Sequence, residues 1–342
     1  MKGSVIAMDR ILGRQAAARI VDGELDDLLI DPPDDRVRPG AIYRAKAGRP
    51  MKGQGGMILE TPDGPLFLRS AKGIAQGDAV FVQASTYAER EKAAPATQRI
   101  LFKGRHAMLT PGAPGRNISR AIMNQERRAA LQEILDEAEL PEGLGIVLRT
   151  AADAAEDVDV REEIARLADI AGMVLNEPRS GGPARLLDGP SAPELALRDW
   201  PRSRDLDDSP GSFDRFGVDE MIDALRSPHV MLGEGSVAVE PTRALVAVDV
   251  NAAGSSSTAA GLKTNLAALR ALPRALRLRG LGGQISVDLA PLAKRERRRV
   301  EDAAKSAFRA CPVDTAFAGW TPLGHMEFLR KRERLPLHEV LA

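Results

Sequence analysis

The chain has 342 residues and carries 48 Lys and Arg against 48 Asp and Glu, a formal net charge of zero. That length predicts about two to four compact units, and the charge balance excludes a polycation that attracts nucleic acid over its whole surface. Cys311 is the single cysteine, which excludes an intramolecular disulfide and suits a reducing compartment.

Residues 1–35 predict three short strands, at 4–8, 16–21 and 28–30, the last closed by Pro32-Pro33. Asp9 interrupts the first apolar run, so a signal peptide is not expected. No segment approaches the roughly 20 apolar residues of a membrane span, and a cytoplasmic location is the expectation. From 36 to 98 the pattern changes to strands punctuated by Gly and Pro, at 41–46, 56–60, 66–69 and 79–84. Several short strands with turn signals predict a small barrel, and barrels of the OB type bind oligonucleotides on one face. Single strands are gripped there by stacked aromatics and basic residues. Tyr43, Phe67 and Phe81 are the aromatics on offer, each suited to the core or to such a platform.

Residues 99–175 open with Phe102-Lys103-Gly104, Met108 and Asn117-Ile118-Ser119-Arg120. Leu131, Ile134 and Leu135 then predict a helix over 121–139. A turn at Pro141 leads into a strand ending in Arg149-Thr150. A guanidinium fork beside a hydroxyl suits a terminal phosphate, although an arginine at a strand end serves equally as a surface ion-pair partner. Residues 176–232 are rich in Pro, Gly, Ser and charge, and read as loop and linker around a short segment at 192–197 and a short helix at 216–225.

Two apolar runs organise residues 233–342: Leu245-Val246-Ala247-Val248-Asp249 and Gln284-Ile285-Ser286-Val287-Asp288. Their near-continuous apolar character predicts strands buried on both faces of a parallel sheet. Leu266, Leu269, Leu276 and Leu278 predict a helix over 262–281 between them, stopped by Gly282-Gly283. A right-handed crossover of this kind brings both strand ends to one edge, where open α/β sheets bind ligands. Asp249 and Asp288, with Asn251 two residues past the first, then form the oxygen set that magnesium takes. Each aspartate alone would equally cap a helix or fill a turn. A basic amphipathic helix follows at 292–310, then a strand at 317–320. Between 270 and 309 lie eleven Lys or Arg (270, 274, 277, 279, 294, 295, 297, 298, 299, 305, 309) against four acids (288, 296, 301, 302), a concentration that suits phosphate-backbone binding or a solvated helix face.

Arg243-Ala244-Leu245-Val246-Ala247-Val248-Asp249-Val250-Asn251, Lys263-Thr264-Asn265-Leu266, Leu276-Arg277-Leu278-Arg279-Gly280-Leu281-Gly282-Gly283 and Val287-Asp288 resemble, in the same order, the core of the ribonuclease E/G endoribonucleases. The resemblance implies an α/β protein of several subdomains. These would be a ribonuclease H-like part split between 1–35 and 176–232, an inserted OB-type RNA-binding barrel at 36–98, a 5′-end sensor at 99–175 and a DNase I-like catalytic core at 233–342. It implies Mg²⁺, or Mn²⁺ in its place, on Asp249 and Asp288 beside Asn251, acting on single-stranded RNA to leave 5′-phosphate and 3′-hydroxyl ends. Arg149 and Thr150 would sense a 5′-monophosphate, with Gly104, Met108 and Arg120 lining the same pocket, and Lys92 and Phe67 would touch RNA from the barrel. Residues 324–332 resemble the family's closing helix, and His325 reads as a surface or packing residue.

Several departures accompany the resemblance. Met57 stands where the family's second barrel strand offers an aromatic, and Asp314 where an arginine reaches the sensor pocket. The loop at 252–261 is short and lacks the family's charged residues, and Pro273 is expected to interrupt the helix before Gly282. The cysteine pair that links subunits through zinc is missing, so neither zinc nor a zinc-linked dimer is expected, while a homo-oligomer held by other contacts stays open. Endoribonuclease is the first reading. A non-catalytic RNA-binding protein that keeps the scaffold is the second, and a metal-dependent hydrolase of another phosphoester the third.

Overall fold

Two tight turns shape the start of the chain. Leu12-Gly13 and Asp22-Gly23 all have positive φ, and each pair closes a two-residue hairpin, Ile11 opposite Arg14 and Val21 opposite Glu24, the geometry that matches strand twist. The strands Ser4–Ile11, Arg14–Val21 and Glu24–Ile30 therefore run as an antiparallel meander. One of its two edges is taken by Asp205–Asp207, parallel to Val5–Ala7 of the first strand. The computed structural model describes residues 3–51, 55–88, 92–233, 235–252 and 258–342. It divides into two units, Met1–Pro33 with Arg202–Ala342, and Asp34–Pro201.

The first unit holds a second sheet of six strands, in the order His229–Met231, Ser236–Pro241, Val246–Asn251, Gly283–Asp288, Met326–Arg330 and Thr315–Trp320. Only the central pair is parallel. Helices Thr258–Leu278 and Arg297–Arg309 bury Leu269, Leu272, Leu276, Val300 and Phe308 against Val246, Val248, Val250, Ile285 and Val287. These valines and the isoleucine alternate with Asp249, Asn251, Gln284 and Asp288, which are exposed. The expectation of strands buried on both faces is thus corrected: mostly antiparallel neighbours leave one face open, as in sheets covered on one side.

Within residues 324–332 the structure has the strand Met326–Arg330 rather than a closing helix. Met326, Phe328 and Arg330 are buried in alternation with Glu327 and Leu329, a period of two that no helix presents. The crossover helix runs unbroken through Pro273. Pro in a helix interior costs about 3 kcal/mol, and the buried Leu269, Leu272 and Leu276 around it supply the compensating contacts. Its stop is Gly280, two residues earlier than expected. Gly280 has φ +64, its N–H donates to Arg277 and that of Leu281 to Leu276, the bond pattern of a left-handed C-cap. A Cβ there would lie 2.0 Å from the Leu335 carbonyl oxygen.

Three of the eleven cations at 270–309 are spent on structure. Arg274 donates to the Leu25 carbonyl, Arg277 to that of Asp26, and Arg279 to that of Ser227. Arg277 and Arg334 also grip the buried carboxylate of Asp27. The cationic surface expected on this stretch is left to the exposed Arg270 and to its later part.

In the second unit, strands Ile42–Pro50, Met57–Glu60, Leu66–Leu68, Ala94–Thr97 and Ala79–Ala84 close into a five-stranded barrel, because the first and last also pair. Closure removes the unpaired sheet edges and is consistent with an OB-type fold. Ala184–Leu187 joins the outside of Ile42–Pro50, so the supposed linker contributes a strand here and, in the other unit, the strand at Asp205–Asp207. Beside the barrel a second sheet runs in the order Gly115–Ile118, Leu144–Leu148, Ala107–Pro111, Phe102–Lys103. Helices Gln125–Glu137 and Asp157–Leu175 cover one face of it. The second helix was not expected from sequence, although Val160, Ile164, Leu167, Ala171 and Val174 form its buried stripe. Among the described residues no helix is long and apolar enough to cross a membrane.

Candidate functional site

Asp249 and Asp288 are register partners on adjacent parallel strands, whose axes lie about 4.8 Å apart. The same alternation that buries their valine neighbours points both carboxylates to the open face. Asn251 emerges two residues on, and its amide donates to Asp249 at 2.7 Å. Asp288 faces a further residue: His325 Nε2 lies 3.6 Å from its Oδ1. The pairing of Gly283–Asp288 with Met326–Arg330 carries on to this histidine, since each pair sums to 613 (283 with 330, 287 with 326) and so does 288 with 325. Reading 324–332 as a helix hid that neighbour, and the Met326-Glu327-Phe328 alternation was the signal that would have found it.

These residues suit a hard divalent cation. Two exposed carboxylates and an amide share one face, and magnesium is bound through one or two carboxylates while keeping several waters. Among the described residues no group of three or more His, Cys, Asp or Glu is placed to hold a metal. Residues 253–257, half of the short loop expected at 252–261, lie outside the described residues.

The second candidate cluster lies in the Asp34–Pro201 unit. Lys103, Met108, Val147 and Asn117 form one row across the open face of its sheet, and Arg149 follows at the end of the Leu144–Leu148 strand. Arg149 extends one guanidinium arm to the Gly104 carbonyl oxygen and the other to Asp199 Oδ1 at 2.9 Å. The Thr150 and Ser119 hydroxyls lie 3.0 Å apart. Arg120 is exposed on the next turn, which Arg128 holds by donating to the Ser119 and Ile122 carbonyls. At Gly104 a Cβ would lie 2.6 Å from the Glu163 carboxyl carbon, so a larger residue there would have to push that carboxylate aside. That carboxylate accepts the N–H groups of Arg105, His106 and Ala107, and so sets the turn on which Lys103 and Gly104 sit.

Asp199 is the residue that sequence reasoning missed. It closes the helix Ala192–Asp199 and meets Lys103 at 3.2 Å, Arg149 at 2.9 Å and Arg198 at 2.7 Å. Burial alone would raise its carboxyl, but Arg198, Lys103 and Arg149 hold it well below the usual carboxylate range. Burial pulls the Lys103 ammonium down, partly offset by Asp199.

On the barrel, Tyr43 is core, its hydroxyl donating to Asp63. Phe67 is half-buried on the outward row between Ile58 and Pro95. Phe81 is packed against the core beside the barrel, with Arg179 over its ring. Lys92 is exposed. Asp314 lies in the other unit, exposed and paired with Lys331.

A model of the family described as "Ribonuclease E/G family" matches residues 102–207 and 203–333. Ribonuclease G of Haemophilus influenzae is 26% identical over 308 residues, 79% of this chain and 62% of the relative. Ribonuclease E of Nostoc sp. is 26% identical over 333 residues, 84% of this chain and 48% of the relative. Ribonuclease E of Escherichia coli is 28% identical over 299 residues, 76% and 28%. The chain therefore spans about half the length of the curated relatives that it matches. The chain belongs to the ribonuclease E/G family.

Proposed function

We propose that this chain is a magnesium-dependent endoribonuclease that cuts single-stranded RNA. The observation that carries the reading is the in-register pairing of Asp249 and Asp288 on an open sheet face, with Asn251 beside them. Asp249 and Asp288 hold the cation, Mg²⁺ or Mn²⁺, and Asn251 orients the first carboxylate or the scissile phosphate. His325 steadies Asp288. When bound, the ion activates water and neutralises charge on the phosphate. Water attacks phosphorus in line and the bond to the 3′ oxygen breaks, leaving a 5′-phosphate and a 3′-hydroxyl.

RNA is held by surfaces of matching charge. Lys294, Arg295, Arg298 and Arg299 are exposed just after the Asp288 strand, and the first turn of helix Arg297–Arg309 has no acid. Cations at a helix N-terminus oppose the macrodipole; their placement suits phosphate, which that terminus also attracts. In this reading the barrel is an OB-type RNA clamp using Phe67 and Lys92, and Arg149 with Thr150 reads the 5′ end, helped by Gly104, Met108 and Arg120. The two parts of the first unit correspond to ribonuclease H-like and DNase I-like subdomains, and the protein works in the cytoplasm.

The test is a magnesium titration on a 5′-monophosphorylated single-stranded RNA. Cleavage that rises with Mg²⁺, stops with chelator and leaves 5′-phosphate termini is the expected result. The burial of Tyr43 leaves the barrel few aromatics for stacking and favours a second reading, a non-catalytic RNA-binding protein on the same scaffold. Tight RNA binding without cleavage at any magnesium or manganese concentration would select it, and hydrolysis of mononucleotide esters in place of RNA would select another phosphoesterase. Arg149→Ala is expected to abolish the preference for monophosphate over hydroxyl 5′ ends while cleavage of the hydroxyl substrate continues; equal slowing of both substrates would refute the sensor.

A further inference from the structure

The Arg149 cluster is an anion pocket with an anion already in it. Lys103, Arg149 and Arg198 surround one carboxylate, and both its oxygens are used: Oδ1 by Lys103 and Arg149, Oδ2 by Arg198. The arrangement is held from several sides. Arg105 donates to the Leu197 and Trp200 carbonyls and pins the end of the helix, Trp200 is buried, and Ser191 with Glu194 forms a capping box at the other end. Asp199 also breaks a local rule. A carboxylate in the last turn of a helix sits at the negative end of the dipole, and in this fold it is kept there by three cations drawn from a strand, a strand end and its own helix.

We propose that Asp199 is a built-in competitor for the 5′-monophosphate, and that Lys103 and Arg198 are two further phosphate contacts beside Arg149. The inference rests on reading Arg149 and Thr150 as the 5′-end site. A terminal phosphate carries nearly two negative charges and three acceptor oxygens, against the single charge and two oxygens of the carboxylate. It can therefore displace Asp199 from the arginine fork, with the Thr150 hydroxyl as an extra donor. Until then the pocket is closed by the chain's own side chain, and apparent affinity is reduced by the fraction of molecules in which it is open.

Four variants and a non-cleavable oligonucleotide test this, with binding followed by fluorescence anisotropy for 5′-monophosphate and 5′-hydroxyl forms. Asp199→Asn is expected to tighten binding of the monophosphate form about tenfold, the gain that follows if the pocket is open about a tenth of the time. In the double variant with Arg149→Ala the gain should shrink to the part that Lys103 and Arg198 supply, because the competition is then for two cations and not three. Asp199→Glu keeps a competing carboxylate and should stay within about twofold of the unmodified chain. No gain, or a loss, in Asp199→Asn would overturn the proposal and make Asp199 a residue that orients Arg149. A gain that is undiminished by Arg149→Ala, or appears equally in Asp199→Glu, would overturn it too, as a general charge or helix-end effect. Failure of the 5′-end reading is distinct: there, Arg149→Ala alone leaves the preference for the monophosphate form intact.

Discussion

Asp288→Asn and Asp249→Asn each lower magnesium-dependent RNA cleavage by about 10²–10³-fold, the loss typical when a preorganised charge-stabilising group is removed from an active site. Each change keeps size and hydrogen-bonding capacity and deletes one charge, so the fold has little reason to respond: both side chains are exposed on the open face. RNA affinity should be unchanged or higher, since a negative charge beside the phosphate is lost. Direct Mn²⁺ binding, read by electron paramagnetic resonance, should weaken in both variants. A variant that keeps full cleavage would exclude the aspartate pair as the metal site. One that loses RNA binding in parallel would show that the acids shape the RNA surface and not the chemistry.

Asp27→Ala is expected to destabilise the unit formed by 1–33 and 202–342 by about 3–5 kcal/mol, the cost of breaking a buried ion pair from one side. Asp27 is 2% exposed. Its carboxylate takes Arg334 at 2.5 and 3.1 Å and Arg277 at 3.3 Å, and accepts the Leu28 N–H at 2.9 Å. Removing it strands Arg277, whose side chain is 8% exposed, without its principal counter-ion. The pH dependence follows from the same contacts. Burial would raise the carboxyl, but Arg334 and Arg277 outweigh it and hold it below its ordinary value of 3.8. The stabilisation is therefore complete above pH 3.8 and is lost as pH falls from there toward the folded-state value. Chemical denaturation of the two proteins at pH 7 and pH 3 checks both points: the gap between them should narrow in acid, and a constant gap would exclude the ion pairs as its source.

What could be read from the residues alone depended on whether a pattern was local. The Gly and Pro punctuation around the strands at 66–69 and 79–84 and the helical spacing around Leu131 marked strands and helix correctly, because turn signals and helical periodicity act within a few residues. The approach of Asp249 to Asp288 was legible because two apolar runs joined by one helix have a single common handedness. The open face was not legible, since Val246-Ala247-Val248 looks the same whether a sheet is covered once or twice. Residues 324–332 were misread because likeness to a helix was preferred over the alternation of Met326, Phe328 and Arg330. Arg274, Arg277 and Arg279 looked like an RNA surface and proved to be staples, since their acceptors, Leu25, Asp26 and Ser227, lie far away in sequence. Asp199 was invisible for the same reason: its three cations come from positions 103, 149 and 198, and only the folded chain brings the first two to it.

The parallel pairing of Ser4–Ile11 with Asp205–Asp207 bears on how the protein is made. The meander is made before the strand that covers one of its edges, which follows only after the 168 residues from Asp34 to Pro201 (201 minus 33). At about 5–20 residues per second, that is a wait of roughly ten to thirty seconds. Throughout it the Ser4–Ile11 strand shows an unsatisfied row of backbone groups to other nascent chains. Newly synthesised molecules should accordingly depend on early chaperone cover more than the finished molecule's stability would suggest.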